Sequence, residues 1–280
     1  MTPIPGVLVN GEAGDRLSIR DRGFQYGDGV FETIAVHHSK PLLWARHVAR
    51  LHHGCARLQI NVATDDYRLR EEVDRLCTGV SRAVLKIVIT RGESGRGYRS
   101  PRNVTPTRVM SLAEWPDYPP KNAVTGVNVR ICRTRMSRNP QLAGIKHLNR
   151  LEQVLARSEW QDEFDEGLML DEDNRIVEGT MSNVFLVSQG TLLTPDLSES
   201  GVAGVMRETV MDHANALSLP CRVTRVAREA LGNADEIFLT NSLIGIWPVR
   251  QAESKGYSVG EITRCLQREI KGSHCFGETD

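Results

Sequence analysis

The residue whose setting most strongly suggests chemistry is a lysine. The chain has six. Lys40 lies in the turn Ser39-Lys40-Pro41, Lys121 follows Pro119-Pro120, Lys255 sits in Ser254-Lys255-Gly256, and Lys271 is near the C-terminus. Lys86 alternates with Leu85 and Ile87 in an extended run and is expected to point outward. Lys146 differs, because it follows Gly144-Ile145 and opens a run in which Leu148, Leu151 and Leu155 recur at helical steps. The spacing predicts a helix with one apolar face packed on a core, with Lys146 where its first turn meets the preceding loop. Desolvation there would disfavour the ammonium form and leave an amine able to act as nucleophile or base. Spacing alone favours an ordinary solvated lysine, the common case near a helix start.

The segment Arg138-Asn139-Pro140-Gln141-Leu142-Ala143-Gly144-Ile145-Lys146, continuing into His147-Leu148-Asn149-Arg150-Leu151-Glu152, resembles the active-site segment of 4-amino-4-deoxychorismate lyases. These belong to the fold-type IV pyridoxal-phosphate enzymes, together with D-amino acid and branched-chain aminotransferases. The resemblance covers nearly the whole chain. It implies pyridoxal 5'-phosphate (PLP) as cofactor, covalently held by Lys146, and a homodimer with the active site near the interface.

Such a cofactor needs a lysine, an acid near its pyridine nitrogen, a phosphate cradle and a fixed ring orientation. On residue types alone Glu178 reads as a strand-end surface carboxylate. The run Val177-Glu178-Gly179-Thr180-Met181-Ser182-Asn183-Val184-Phe185 matches the family pattern E-G-x-x-S-N-[VIL]-F, and that resemblance assigns Glu178 to the pyridine nitrogen. Asn183 is then expected to satisfy backbone groups around the site. Gly201-Val202-Ala203-Gly204-Val205-Met206-Arg207 has the form of a helix entry, whose free N–H groups favour an anion, so the Val205 and Met206 amides are expected to donate to phosphate. The resemblance adds Arg50 as a charged donor to the same phosphate. Ser242 can contribute a hydroxyl from the end of a strand.

The loop Thr90-Arg91-Gly92-Glu93-Ser94-Gly95-Arg96-Gly97-Tyr98 looks like the family's substrate segment, with Arg91 and Arg96 suited to a dicarboxylate. A surface loop with solvated arginines is the alternative. Phe31 stands where aminotransferase relatives place a tyrosine that helps to bind substrate, which puts amino-acid carboxylate binding of their type in doubt. The resemblance implies conversion of 4-amino-4-deoxychorismate to 4-aminobenzoate and pyruvate, a step towards folate. An aminotransferase on the same scaffold and a non-catalytic PLP-binding protein stay open as rivals.

Other features narrow the field. His37-His38 and His52-His53 lack metal-ligand spacing, and no metal is expected. Asp171 to Asn174 reads as a turn. The net charge of zero gives no support to nucleic-acid partners or an anionic membrane. The N-terminus has no signal-peptide pattern, and no apolar run reaches the length of a membrane span. Six scattered cysteines, without a C-x-x-C pair, read as reduced thiols of a cytoplasmic protein.

The elements that must position these residues alternate irregularly, with several hairpins. They include strands at 7–9, 30–36, 42–44, 83–90 and 108–113, and helices carrying Val48, Leu51, Cys55 and Leu58 and then Leu69, Val73 and Leu76. The second half holds a strand at 127–132, hairpins at 168–178 and 184–193, a helix at 205–217, strands at 222–226 and 237–240, and a last helix carrying Val259, Ile262, Leu266 and Ile270. This predicts an α+β chain with no Rossmann sheet: domain 1–118, linker 119–126 and domain 127–280. The resemblance makes the first a smaller α/β sandwich and the second a larger pseudo-barrel carrying the PLP lysine.

Overall fold

The computed structural model describes residues 6–62, 66–100 and 104–272. It divides into two compact units, Met1–Pro116 with Ile145–Asn149 and Asp117–Gly144 with Arg150–Asp280. The expected linker stretch includes the short helix Lys121–Thr125, within the second unit.

In the first unit, strands Val7–Val9 (β1), Glu12–Ala13 (β2), Gly29–His37 (β3), Lys40–Pro41 (β4), Arg82–Thr90 (β5) and Thr107–Ala113 (β6) form a sheet in the order β2-β1-β6-β5-β3-β4. Asn10 and Gly11 both have positive φ, 53° and 90°, as the tight turn between β1 and β2 requires. β3 and β5 pair antiparallel along their full length, from Gly29↔Thr90 to His37↔Arg82. Their alternation puts Val30, Ile34 and Val36 with Leu85, Ile87 and Ile89 on one buried face. Helices Trp44–Arg57 (α2) and Asp66–Cys77 (α3) supply Leu51, Cys55, Leu69, Val73 and Leu76 to that core. A short helix, Arg22–Tyr26 (α1), precedes β3 and is capped by the Asp21 carboxylate. The expected strand at 42–44 does not form: Leu43 has φ 52° and caps α2, so the chain turns into the helix at Trp44.

In the second unit, strands Val127–Met136 (β7), Glu166–Asp171 (β8), Arg175–Gly179 (β9), Asn183–Ser188 (β10), Thr191–Pro195 (β11), Cys221–Thr224 (β12), Val226–Ala227 (β13), Glu236–Asn241 (β14) and Gly245–Ala252 (β15) form a mixed sheet. Its order is β12-β11-β10-β14-β15-β7-β8-β9-β13. β15 is absent from the sequence reading because Pro248 sits inside the apolar run, yet it pairs with Phe238 in register. The helices of this unit are Lys121–Thr125 (α4), Leu151–Arg157 (α5), Val205–Ala216 (α6), Ala230–Asn233 (α7) and Glu261–Gly272 (α8). The architecture is α+β, as composition and pattern imply.

The helix expected to start at Lys146 starts later, at Leu151. Residues 146–148 run extended beside β3, with Phe31 N–H donating to the Lys146 carbonyl at 2.9 Å and Leu148 N–H donating to the Gly29 carbonyl at 2.9 Å. Backbone groups committed to a strand edge cannot also close a helical turn. Nor is the predicted apolar face packed on a core: Leu151, Val154 and Leu155 of α5 are 68%, 61% and 52% exposed.

Candidate active site

The first unit holds the lysine. Ile145 is buried in the α2–β3 core, and His147 bridges Val30. The segment is therefore anchored on both sides of Lys146. The Lys146 Nζ lies 4.4 Å from the centre of the Phe31 ring. A cation over an aromatic face is favoured when solvent is reduced. A second amine, Lys86 Nζ, lies 5.5 Å from the same ring centre. Phe31 pairs with Val88 and Thr33 with Lys86, so register sets Phe31 and Lys86 on one sheet face. Lys86 is exposed, in keeping with the sequence reading.

Arg50 is engaged from within its own unit. Its Nε donates to Glu32 Oε1 at 2.8 Å, and a second guanidinium nitrogen donates to Glu32 Oε2 at 2.5 Å. His47 Nδ1 also meets Glu32 Oε2, at 2.6 Å. Burial would raise the Glu32 carboxyl, but the Arg50 charge and hydrogen bonds, with those of His47, outweigh it and hold the group at about 2. Burial lowers His47 more than Glu32 raises it, and the charges of Arg50 and Lys146 act in the same direction. The imidazole is then neutral near pH 7, donating through Nδ1. Its Nε2 is buried without a hydrogen-bond partner among the described residues.

Arg91 and Arg96 part company. Arg91 Nε and Nη2 pair with the Asp28 carboxylate at 2.8 and 3.0 Å, and its remaining donors go to the Leu58 and Gln59 carbonyls. Its fork is spent on structure. Arg96 is exposed on the loop.

The second unit holds the carboxylate. Glu178 is the penultimate residue of β9 and is 4% exposed. Its Oε2 accepts the Val202 N–H at 2.9 Å and Asn183 Nδ2 at 3.3 Å. Asn183 Nδ2 also donates to the Val202 carbonyl at 2.9 Å. Gly201 has φ 85°, and a Cβ there would meet Leu197 at 2.7 Å and Glu178 Oε2 at 3.4 Å. A Cβ on Gly204, the N-cap of α6, would lie 1.9 Å from Asn183 Oδ1. These contacts fix the carboxylate and the start of α6 relative to one another. No side chain caps α6, whose first residues are Val205 and Met206. Its N-terminus is the cradle an anion needs. Ser242 is half-buried in the turn after β14, a turn that Asn241 closes by accepting from Leu243 and Ile244.

Three further residues were invisible to sequence reasoning. Glu32 and His47 lie in a strand and a helix that read as ordinary core elements. Glu166 is 1% exposed and accepts from Gly167, Thr180, Met181 and Ser182, pinning the turn between Glu178 and Asn183. Only an alternation defect, a charge at a core-facing position, could have flagged Glu32.

A group with an aldehyde carbon for an amine, a basic ring nitrogen and a phosphate fits the functional groups present: Lys146, buried Glu178 and the uncapped start of α6. The amino-transferase class IV family model matches residues 29–252. The chain is 37% identical, over 269 residues, to the aminodeoxychorismate lyase of Vibrio harveyi, covering 94% of this chain and 98% of that one. It superposes with a TM-score of 0.93 on the crystal structure of 4-amino-4-deoxychorismate lyase from Pseudomonas aeruginosa, at 47% identity, covering 96% of this chain and 100% of that one. The Escherichia coli branched-chain amino acid aminotransferase gives 0.85 at 24% identity, over 95% of this chain and 93% of that one, a likeness of fold.

Proposed function

The chain belongs to the class IV amino-transferase family, and from that premise we propose that it is a PLP-dependent lyase converting 4-amino-4-deoxychorismate to 4-aminobenzoate and pyruvate. The observation that carries the reading is likeness to lyases over nearly the whole chain, at 37% and 47% identity. Phe31 supports it further, since a phenyl ring lacks the hydroxyl that the aminotransferases are expected to use.

In this reading Lys146 holds the cofactor, Glu178 faces its pyridine nitrogen, and Asn183 orients Glu178. Arg50, the Val205 and Met206 amides and Ser242 bind its phosphate. When bound, PLP supplies an electron sink for the pair left by proton removal. The Lys146 amine would take the C4 proton of the substrate ring. The C3–O bond then breaks, enolpyruvate leaves, and the ring becomes aromatic. Lys146 would then return the proton to the leaving group. Arg96 binds a substrate carboxylate, and Lys86 adds a second cation on the Phe31 face. Arg91 is better assigned to holding the loop.

The reading extends to a homodimer in the cytoplasm. The exposed apolar face of α5 suits a second copy. No described helix is long and apolar enough to cross a membrane, and Cys55, Cys77, Cys132, Cys221 and Cys265 are free thiols. Incubation of purified protein with aminodeoxychorismate tests the function: release of 4-aminobenzoate supports it, and its absence from cofactor-loaded protein overturns it.

A further inference from the structure

The Gly-rich loop that bears Arg96 is gripped from inside the first unit by a second arginine. Arg22 is 4% exposed, although it lies on a five-residue surface helix. Its Nε donates to Asp28 Oδ2 at 2.8 Å. Its Nη1 donates to Ser94 Oγ at 3.2 Å and to the Gly97 carbonyl at 3.0 Å, and its Nη2 to the Tyr98 carbonyl at 3.1 Å. Gly97 is held from its other side too, its N–H donating to the Tyr26 hydroxyl at 3.3 Å. The Tyr26 ring packs on Tyr98 at 5.4 Å, and the Arg22 guanidinium lies 5.0 Å from the Tyr26 ring centre. Backbone bonds from Arg22 N–H to the Gly92 carbonyl and from Ser94 N–H to the Arg20 carbonyl complete the clasp.

Arg22 and Arg91 share one carboxylate, Asp28. A second carboxylate, Asp21, is buried beside them, where it caps α1 and accepts from the Thr90 hydroxyl at 2.7 Å. What Arg22 achieves is geometry, since donors of one rigid fork hold the Ser94 hydroxyl before Arg96 and the Gly97 and Tyr98 carbonyls after it. Arg96, Tyr98 and Arg99 meanwhile remain exposed.

We infer that Arg22 is a positioning residue, which fixes the backbone from which Arg96 meets a carboxylate of the substrate. The inference rests on the dicarboxylate substrate proposed above. It makes the loop a preorganised arm, so binding a carboxylate there requires little ordering of the chain.

The test uses cofactor-loaded protein and two variants, Arg22→Lys and Tyr26→Phe. The second removes only the hydroxyl that accepts the Gly97 N–H, and it decides the matter if Arg22→Lys fails to fold or to hold cofactor. Native trypsin cleavage after Arg96 and Arg99 should be about tenfold faster in the variants, since cleavage tracks the open population. Cofactor absorbance should be retained. KM for aminodeoxychorismate should rise about tenfold with kcat within roughly threefold, and the same change should add nothing in an Arg96→Ala background. Equal trypsin rates in wild type and variants would overturn the inference, as would additive effects on KM. If the wild type yields no 4-aminobenzoate, the lyase reading fails while the trypsin comparison still judges the clasp.

Discussion

The Phe31 N–H donates to the Lys146 carbonyl at 2.9 Å, and the Lys146 amine lies 4.4 Å from the centre of the Phe31 ring. One residue of β3 thus fixes the lysine twice, through backbone and through ring. An amine so held is expected to be the site of cofactor attachment. Borohydride reduction and peptide mapping should place the phosphopyridoxyl group on Lys146, and Lys146→Ala should lose roughly 100- to 10,000-fold in turnover, the scale of a general base. A label on another lysine refutes the assignment.

Glu178 accepts from Val202 and Asn183 through one oxygen. A glutamine there can keep those bonds but carries no charge to hold a pyridine nitrogen protonated. Glu178→Gln should therefore bind PLP and lose most turnover. Near-normal activity would show that the carboxylate charge is not used.

The Glu32–His47–Arg50 cluster predicts acid sensitivity. Glu32 titrates at about 2 in the fold against an ordinary 4.5. As pH falls, the unfolded chain takes up that proton first, so stability present above 4.5 is lost on the way down to about 2. His47, lowered from 6.5, acts in the same direction, because the unfolded chain protonates while the fold resists. The thermal midpoint of cofactor-free protein should begin to fall below pH 6.5 and fall further below 4.5. Glu32→Gln should remove the lower part of that decline, while costing roughly 3–5 kcal/mol at neutral pH by removing the buried charge that Arg50 and His47 share. A flat profile in wild type would mean that the pairs do not persist in solution.

Much of this was legible beforehand. The β-branched richness of Ala83 to Thr90 and the helical spacing of Leu69, Val73 and Leu76 gave elements that the fold reproduces, because core burial and local propensity agree there. The Lys146 segment misled: its leucines have helical spacing, but Leu148 serves a strand edge, and Leu151 and Leu155 remain exposed. Periodicity reports an apolar stripe and not what covers it. Arg91 and Arg96, five positions apart in one loop, were indistinguishable by type. Only the location of Asp28 and the Leu58 and Gln59 carbonyls separates them.

The exposed Leu151, Val154 and Leu155 face bears on assembly. Light scattering at micromolar concentration should give a dimer mass. Val154→Glu with Leu155→Glu should shift it towards monomer by burying charge against an apolar surface. A monomeric, active wild type would rule out the homodimer.

The central claim is that the enzyme eliminates and does not transaminate. The direct measurement compares two reactions of the same cofactor-loaded preparation: aminodeoxychorismate without any keto acid, and D-alanine or a branched-chain amino acid with 2-oxoglutarate. The account predicts 4-aminobenzoate and pyruvate in equal amounts from the first, and slow turnover at most in the second. Efficient 2-oxoglutarate-dependent turnover of an ordinary amino acid, with no 4-aminobenzoate formed, would contradict it.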